Sequence, residues 1–171
     1  IISLSIGQGE LLLSPLQIAN ISAIIANQGY YYTPHFIKNM EGVDTIPKAF
    51  TVKHQTKVSK VHFATVTQAM HNVTLTGTAA YSKIPEIDIC GKTGTVQNPH
   101  GENHSVYMAF APKDDPKIAI AVVVENAGYG STWAAPIAHL MIEKYVKGDS
   151  ATSRPFLEQH ILESSIMPAA N

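Results

Sequence analysis

The stretch Ile87-Asp88-Ile89-Cys90-Gly91-Lys92-Thr93-Gly94-Thr95 decides how this chain is read. Apolar Ile87 and Ile89 alternate with Asp88 and Cys90, which is the two-residue period of a strand. The Gly91-Lys92-Thr93 step invites a phosphate-loop reading. That loop requires a glycine five residues before the Gly-Lys pair, and Glu86 stands there. It must also feed a helix whose N-terminus completes the anion site. Gly94-Thr95-Val96-Gln97-Asn98-Pro99 starts no helix promptly. The alternative is a lysine, two threonines and a glycine carried on an exposed strand. Gly94 has no Cβ, so a ligand can approach the main chain. Lys92 offers a fixed positive charge. The hydroxyls of Thr93 and Thr95 can donate to a carboxylate, and the Thr95 N–H to a developing oxyanion.

Downstream, Val106–Phe110 reads as a second strand and Ile118–Val124 as a third, apolar on both faces and so in need of layers on both sides. The tight turn Pro112-Lys113-Asp114-Asp115-Pro116 joins them. Upstream, Ser14-Pro15 reads as an N-cap with Pro at the first helical position, and Leu16–Ala26 as a mostly buried helix with Gly29 as its left-handed cap. Tyr30–Ile37 reads as a short ribbon broken by Pro34, and Phe50–Val52 as a short strand. Ser59 caps a second helix with the stripe Phe63, Val66, Met70, Val73. Ser131-Thr132 starts a third, with the stripe Ile137, Leu140, Met141, closed by Gly148. Residues 149–171 read as a polar tail with one helical patch over 156–166. The expected fold is α+β, a three-stranded antiparallel sheet packed with helices.

The chain has 171 residues, of which 45% are hydrophobic and 15% charged, enough apolar material for a real core. The net charge is −1 and Arg154 is the only arginine, so no nucleic-acid footprint exists. The single cysteine, Cys90, excludes an internal disulfide. The longest clean apolar run, Ile118–Val124, is too short to span a bilayer as a helix. The chain opens on Ile1 without a signal peptide, which predicts a piece of a longer protein whose anchor or export signal lies elsewhere.

Lys-Thr-Gly is a signature of class A β-lactamases and penicillin-binding proteins. Its surroundings extend the likeness. Gly7-Gln8-Gly9, Ser14-Pro15-Leu16-Gln17-Ile18-Ala19, Gly77-Thr78-Ala79, Gly91-Lys92-Thr93-Gly94-Thr95-Val96-Gln97, His104-Ser105, Ala111-Pro112 and Val124-Glu125-Asn126 occur in order. Over residues 5–147 the chain resembles the C-terminal part of a class B penicillin-binding protein of the penicillin-binding protein 2 type. The resemblance implies a β-lactamase/transpeptidase-like domain, with residues 1–148 as the C-terminal portion of the transpeptidase domain. It implies Lys92 and Thr95 as catalytic residues, and Thr93, Gly94, Thr95 and Tyr107 as substrate-binding ones. The implied partners are D-Ala-D-Ala stem peptides, β-lactams and a membrane elongation machinery with a SEDS-type glycosyltransferase. The implied location is the periplasmic side of the bacterial inner membrane. No cofactor is implied.

No Ser-x-x-Lys and no Ser-x-Asn occurs in the sequence. The resemblance therefore places the nucleophile upstream of Ile1 and predicts a chain inactive alone. The strand Ile118–Val124 would lack its family partner, leaving an edge open to self-association. The competing readings are a β-lactamase or D,D-carboxypeptidase of the same fold, and a non-catalytic β-lactam sensor. Blander readings attach to other residues. Gly7 and Gly9 read as turn glycines, Gly77 and Thr78 as packing, Trp133 as core and Cys90 as a buried inert thiol. His100 and His104 flank Glu102, but one loop supplies no third ligand, so no metal is expected. Tyr107 either lines the groove or fills core. Asn126–Gly130 is a lesser candidate for substrate contact.

Overall fold

The computed structural model describes residues 4, 7, 10–37 and 46–164. Helix α1 (Pro15–Ala26) leads to strand β1 (Tyr30–Tyr31), a one-turn helix α2 (Lys48–Thr51), strand β2 (His54–Gln55) and helix α3 (Lys60–Leu75). Strands β3 (Cys90–Val96), β4 (His104–Ala111) and β5 (Ile118–Val124) follow, then helices α4 (Ala134–Lys147) and α5 (Pro155–Glu163). The last three strands form one antiparallel sheet in the order β3-β4-β5. β1 and β2 pair separately, Tyr30 opposite Gln55 and Tyr31 opposite His54.

Alternation along the strands builds two cores. Tyr107, Ala109 and Ala111 of β4 join Ile118, Ile120 and Val122 of β5 against Ala134, Ala135, Ala138 and Ile142 of α4. On the opposite face Met108, Phe110 and Ala119 meet Cys90, Met70 of α3 and Ile25 and Ala26 of α1. The both-faces apolar reading of β5 thus corresponds to a sheet between α4 and the α1–α3 pair.

Several local expectations change. Phe50 lies in α2, not in a strand. Pro47, at φ −48°, begins a helical turn there, and the segment that pairs with β1 is His54–Gln55. Ser14 caps α1 in a full capping box with Gln17. That helix is not mostly buried, however. Only Ser22 is buried, because one side rests on β5 and no layer covers the other among the described residues. Gln28 turns left-handed at φ 54° and Gly29 continues at φ 108°. A Cβ on Gly29 would sit 2.8 Å from the Phe63 ring. In α3, Phe63 and Met70 are buried, but Val66 is 41% exposed. Gly9 and the end of the tail patch, at 166, lie outside the described residues.

The buried face of α4 differs most from expectation. Met141 is 53% exposed, while Ala134, Ala135, Ala138, His139, Ile142 and Glu143 are buried. Ser131 and Thr132 do not cap this helix. Ser105 of β4 does so across the core, its Oγ accepting from Ala134 N (3.1 Å) and donating to the Tyr129 carbonyl (2.8 Å).

Glu143 is 1% exposed and requires cations. Arg154 grips it with two bonds, Nε to Oε2 at 3.1 Å and Nη2 to Oε1 at 2.9 Å. Lys147 adds a third at 3.1 Å, and Glu86 bridges Lys147 and Arg154. The chain's one arginine thus holds the start of the tail down. There α5 buries Leu157, and His160 stacks on Trp133 at 4.7 Å. Trp133 is half-buried under the tail rather than in the core.

Hydrogen bonding by Arg154, then Lys147, keeps the Glu143 carboxyl below its ordinary 4.5 despite burial. A depressed carboxyl contributes stability above its unfolded value and loses it as pH falls through the folded one. Arg154→Ala is therefore expected to lower the urea midpoint at pH 7 and to reduce its decline below about pH 4.5. Urea titrations at pH 7 and in acid check this; equal midpoints for both proteins at pH 7 would refute it.

Candidate active site

β3 pairs with β4 on one side and with no strand on the other among the described residues. Lys92 faces Met108, Thr93 Tyr107, Gly94 Val106 and Thr95 Ser105. Directly paired residues share a sheet face. Thr93 and Thr95 therefore stand on the α4 face, and Lys92 and Gly94 on the α1–α3 face. Lys92 is exposed, with Nζ turned onto the Thr93 carbonyl. The strand that carries the lysine and the two threonines is thus a pairing edge of the sheet, as the sequence predicts.

Tyr107 does not line a groove. It is 0% exposed, and its ring lies over Gly91, so that a Cβ on Gly91 would run into the phenol. The substrate-contact role expected of Tyr107 is corrected to one beneath the strand. The glycine before Lys92 exists because this ring occupies the place of a side chain. The phenol oxygen lies 2.8 Å from His139 Nε2 and 3.3 Å from Thr74 Oγ1. His139 Nδ1 lies 2.9 Å from both the carbonyl and the hydroxyl of Ser82. A carbonyl only accepts, so Nδ1 carries the proton and Nε2 accepts from Tyr107. Thr74 then donates to the phenol oxygen, and Ser82 Oγ to the Ala79 carbonyl (3.3 Å). Every member of this buried chain is satisfied. Burial pushes the His139 imidazole down to about 4, against the Ser82 carbonyl bond that favours its charge. Burial also raises the Tyr107 phenol above its ordinary range.

Two contacts at the strand have no signal in the sequence. Thr78 Oγ1 lies 2.9 Å from Thr93 Oγ1. Gly130 packs on the Gly94–Val106 pair, where a Cβ would strike both carbonyls. Both depend on loops brought across the sheet, so no spacing along the chain reveals them. Beyond the strand, Asn98 Nδ2 donates to Asn126 Oδ1 (2.7 Å) and Asn126 N donates to His104 Nδ1 (3.1 Å). Asn126 itself takes φ 53°. His104 is thus committed to the loop after β5, and the described residues hold no group of three metal-ligating side chains. Cys90 is buried, and burial pushes its thiol up to about 12, which leaves no thiolate for chemistry.

The family described as penicillin binding protein transpeptidase domain matches residues 1–143. The chain belongs to the penicillin-binding protein transpeptidase family. It is 35% identical over 156 residues to the peptidoglycan D,D-transpeptidase PbpA of Mycobacterium tuberculosis, covering 85% of this chain and 32% of that protein. It is 34% identical to MrdA of Acinetobacter baumannii, covering 78% of this chain and 22% of the relative. The type is that of penicillin-binding protein 2. The Pseudomonas aeruginosa PBP2 structure aligns at TM-score 0.75 and 29% identity, over 88% of this chain and 33% of that one. Penicillin-binding protein A of M. tuberculosis, solved as an imipenem acyl-enzyme complex, aligns at 0.68 and 36%, over 84% and 33%. The chain therefore spans about a third or less of the relatives it matches, and the fold is that of their β-lactamase-like transpeptidase domains.

The buried His139 is expected to make the domain acid-sensitive. The unfolded imidazole takes a proton near pH 6.5, the folded one only near 4. Its contribution to stability is expected to be complete above about 6.5 and to fall as pH drops toward 4, by about 3 kcal/mol. His139→Gln is expected to be less stable at pH 7 and to lack this limb. Denaturant titrations between pH 4 and 7 read both effects, and an unchanged acid limb in the variant would show that the imidazole is not its source.

Proposed function

We propose that this chain is the C-terminal portion of a peptidoglycan D,D-transpeptidase that crosslinks stem peptides through an acyl-serine and is acylated by β-lactams. What carries the reading is Lys92-Thr93-Gly94-Thr95 on the pairing edge of β3, with two half-buried threonines and an exposed lysine in one short span.

The serine comes from outside these 171 residues. Its oxygen attacks the carbonyl carbon of the penultimate D-Ala, and the carbonyl oxygen becomes an anion. The Thr95 N–H is one oxyanion donor; losing such a donor typically costs roughly 2.7–4 kcal/mol of barrier. Collapse expels the terminal D-Ala amine, which takes the proton that the serine hydroxyl gave up, and leaves the acyl-serine. The amine of a second stem peptide then attacks the ester and restores the serine. Lys92 holds the positive field around the attacking hydroxyl. Thr93 and Thr95 bind the terminal carboxylate of the peptide or of a β-lactam, and Gly94 lets the acyl chain approach the backbone.

The whole protein works on the periplasmic side of the inner membrane beside a SEDS-type glycosyltransferase. No helix of the described residues is long and apolar enough to cross a membrane.

In the full-length protein, Lys92→Ala is expected to abolish labelling by a fluorescent penicillin while leaving circular dichroism unchanged. The 171-residue chain alone is expected not to label. Wild-type labelling of the variant, or a covalent serine adduct on the chain, would overturn the assignment. β5 pairs only with β4 among the described residues, so the isolated chain is expected to self-associate through that edge. Sedimentation showing a monomer at every concentration would exclude this.

A further inference from the structure

Thr78 belongs to the loop after α3 and lies outside the lysine-threonine-glycine motif, yet its hydroxyl meets that of Thr93 at 2.9 Å. The loop is held at both ends. Thr76 N and Gly77 N both donate to the Asn72 carbonyl, at 3.0 and 2.9 Å, and Ala79 N donates to the Val73 carbonyl at 3.1 Å. Gly77 presses on α3 so closely that a Cβ would lie 2.8 Å from Val73 Cα. Ala79 is fully buried, and its carbonyl accepts from Ser82, whose hydroxyl and carbonyl both meet the imidazole chain beneath β3. Thr78 is therefore an exposed hydroxyl held between the backbone-bonded Gly77 and the buried Ala79, while Thr93 is half-buried beside it.

Two hydroxyls in contact hold two protons, one of which is used between them. If Thr93 donates to Thr78, Thr93 turns lone pairs toward an approaching anion. If Thr78 donates to Thr93, the Thr93 proton is free for the anion, and accepting a bond strengthens Thr93 as a donor. A carboxylate arriving at Thr93 selects the second order.

We propose that Thr78 is a positioning residue for ligand binding, donating to Thr93 Oγ1 so that the Thr93 proton is aimed at the carboxylate of the acyl donor or β-lactam. This rests on the transpeptidase reading above and adds to it a residue that acts only through Thr93.

The test measures acylation of the full-length protein by a fluorescent penicillin, separating the binding constant from the acylation rate constant. Variants are Thr78→Val, Thr78→Ser, Thr93→Val, the Thr78→Val/Thr93→Val double, and Lys92→Ala as control. Thr78→Val is expected to weaken binding about fivefold, the loss of one neutral hydrogen bond, with little change in the rate constant. Thr78→Ser is expected to restore binding, and Thr78→Val to add nothing once Thr93 is valine. Wild-type binding by Thr78→Val overturns the proposal. So does a further loss in the double variant, which would mean that Thr78 touches the ligand itself. Equal loss in Thr78→Ser and Thr78→Val with lowered thermal midpoints would reduce the contact to packing, and also overturns it. The transpeptidase reading fails by a different outcome, Lys92→Ala labelling at the wild-type rate.

Discussion

The phenol of Tyr107 occupies the space above Gly91, and most of the architecture around the motif strand follows from that contact. A ring there forbids a side chain at the residue before Lys92. It also buries a hydroxyl that must find partners, and it finds them on two separate elements, His139 of α4 and Thr74 of α3. The imidazole passes the constraint on to Ser82, at the end of the loop that bears Thr78. In a low-dielectric interior such a chain of bonds is rigid when complete and costly when broken at any member. The start of β3 is therefore tied to the helix on one face of the sheet and to the loop beside it.

That rigidity suits the charge-binding role proposed for β3. Donors aimed at a developing oxyanion or a carboxylate help most when they need no rearrangement on binding. Gly130 against Gly94 and Tyr107 against Gly91 pack backbone and ring where side chains would otherwise intrude. Beside these contacts Lys92 is exposed on one face of β3, and Thr93 and Thr95 are half-buried on the other. The tail contributes at a distance. By closing on Glu143, Arg154 keeps α4 neutralised at its C-terminal end, where Glu86 also joins the loop leading into β3.

Much of this was legible from residue order. The apolar run Ile118–Val124 is β5 residue for residue, because a strand covered on both faces leaves an unbroken signature. Cys90–Thr95 lies in β3, but Ile87 and Ile89, whose alternation signalled the strand, are buried in the loop before it; Ser14-Pro15 opens α1 as written. The phase of α4 was not legible. Its buried face carries His139 and Glu143, which a hydropathy stripe assigns to solvent, whereas Met141 points outward. Small alanines let that helix approach the sheet, and the polar pair is buried because Tyr107, Ser82, Arg154 and Lys147 meet it. Phe50 was misread for a related reason: its ring stacks on His35 at 4.6 Å from a helical turn, and a strand there was never required.

Residue order alone determined the three strands, the family and the identity of the charged and hydroxylic groups on β3. These depend on local periodicity and on side-chain chemistry, which travel with the sequence. Only the tertiary structure decided that Tyr107 lies beneath the strand and not in the groove, that Thr78 touches Thr93, and that the chain's single arginine holds a buried carboxylate. Those facts join residues 11 to 33 positions apart in sequence. Partners of that kind are chosen by how the helices and loops close over the sheet, which no spacing along the chain records.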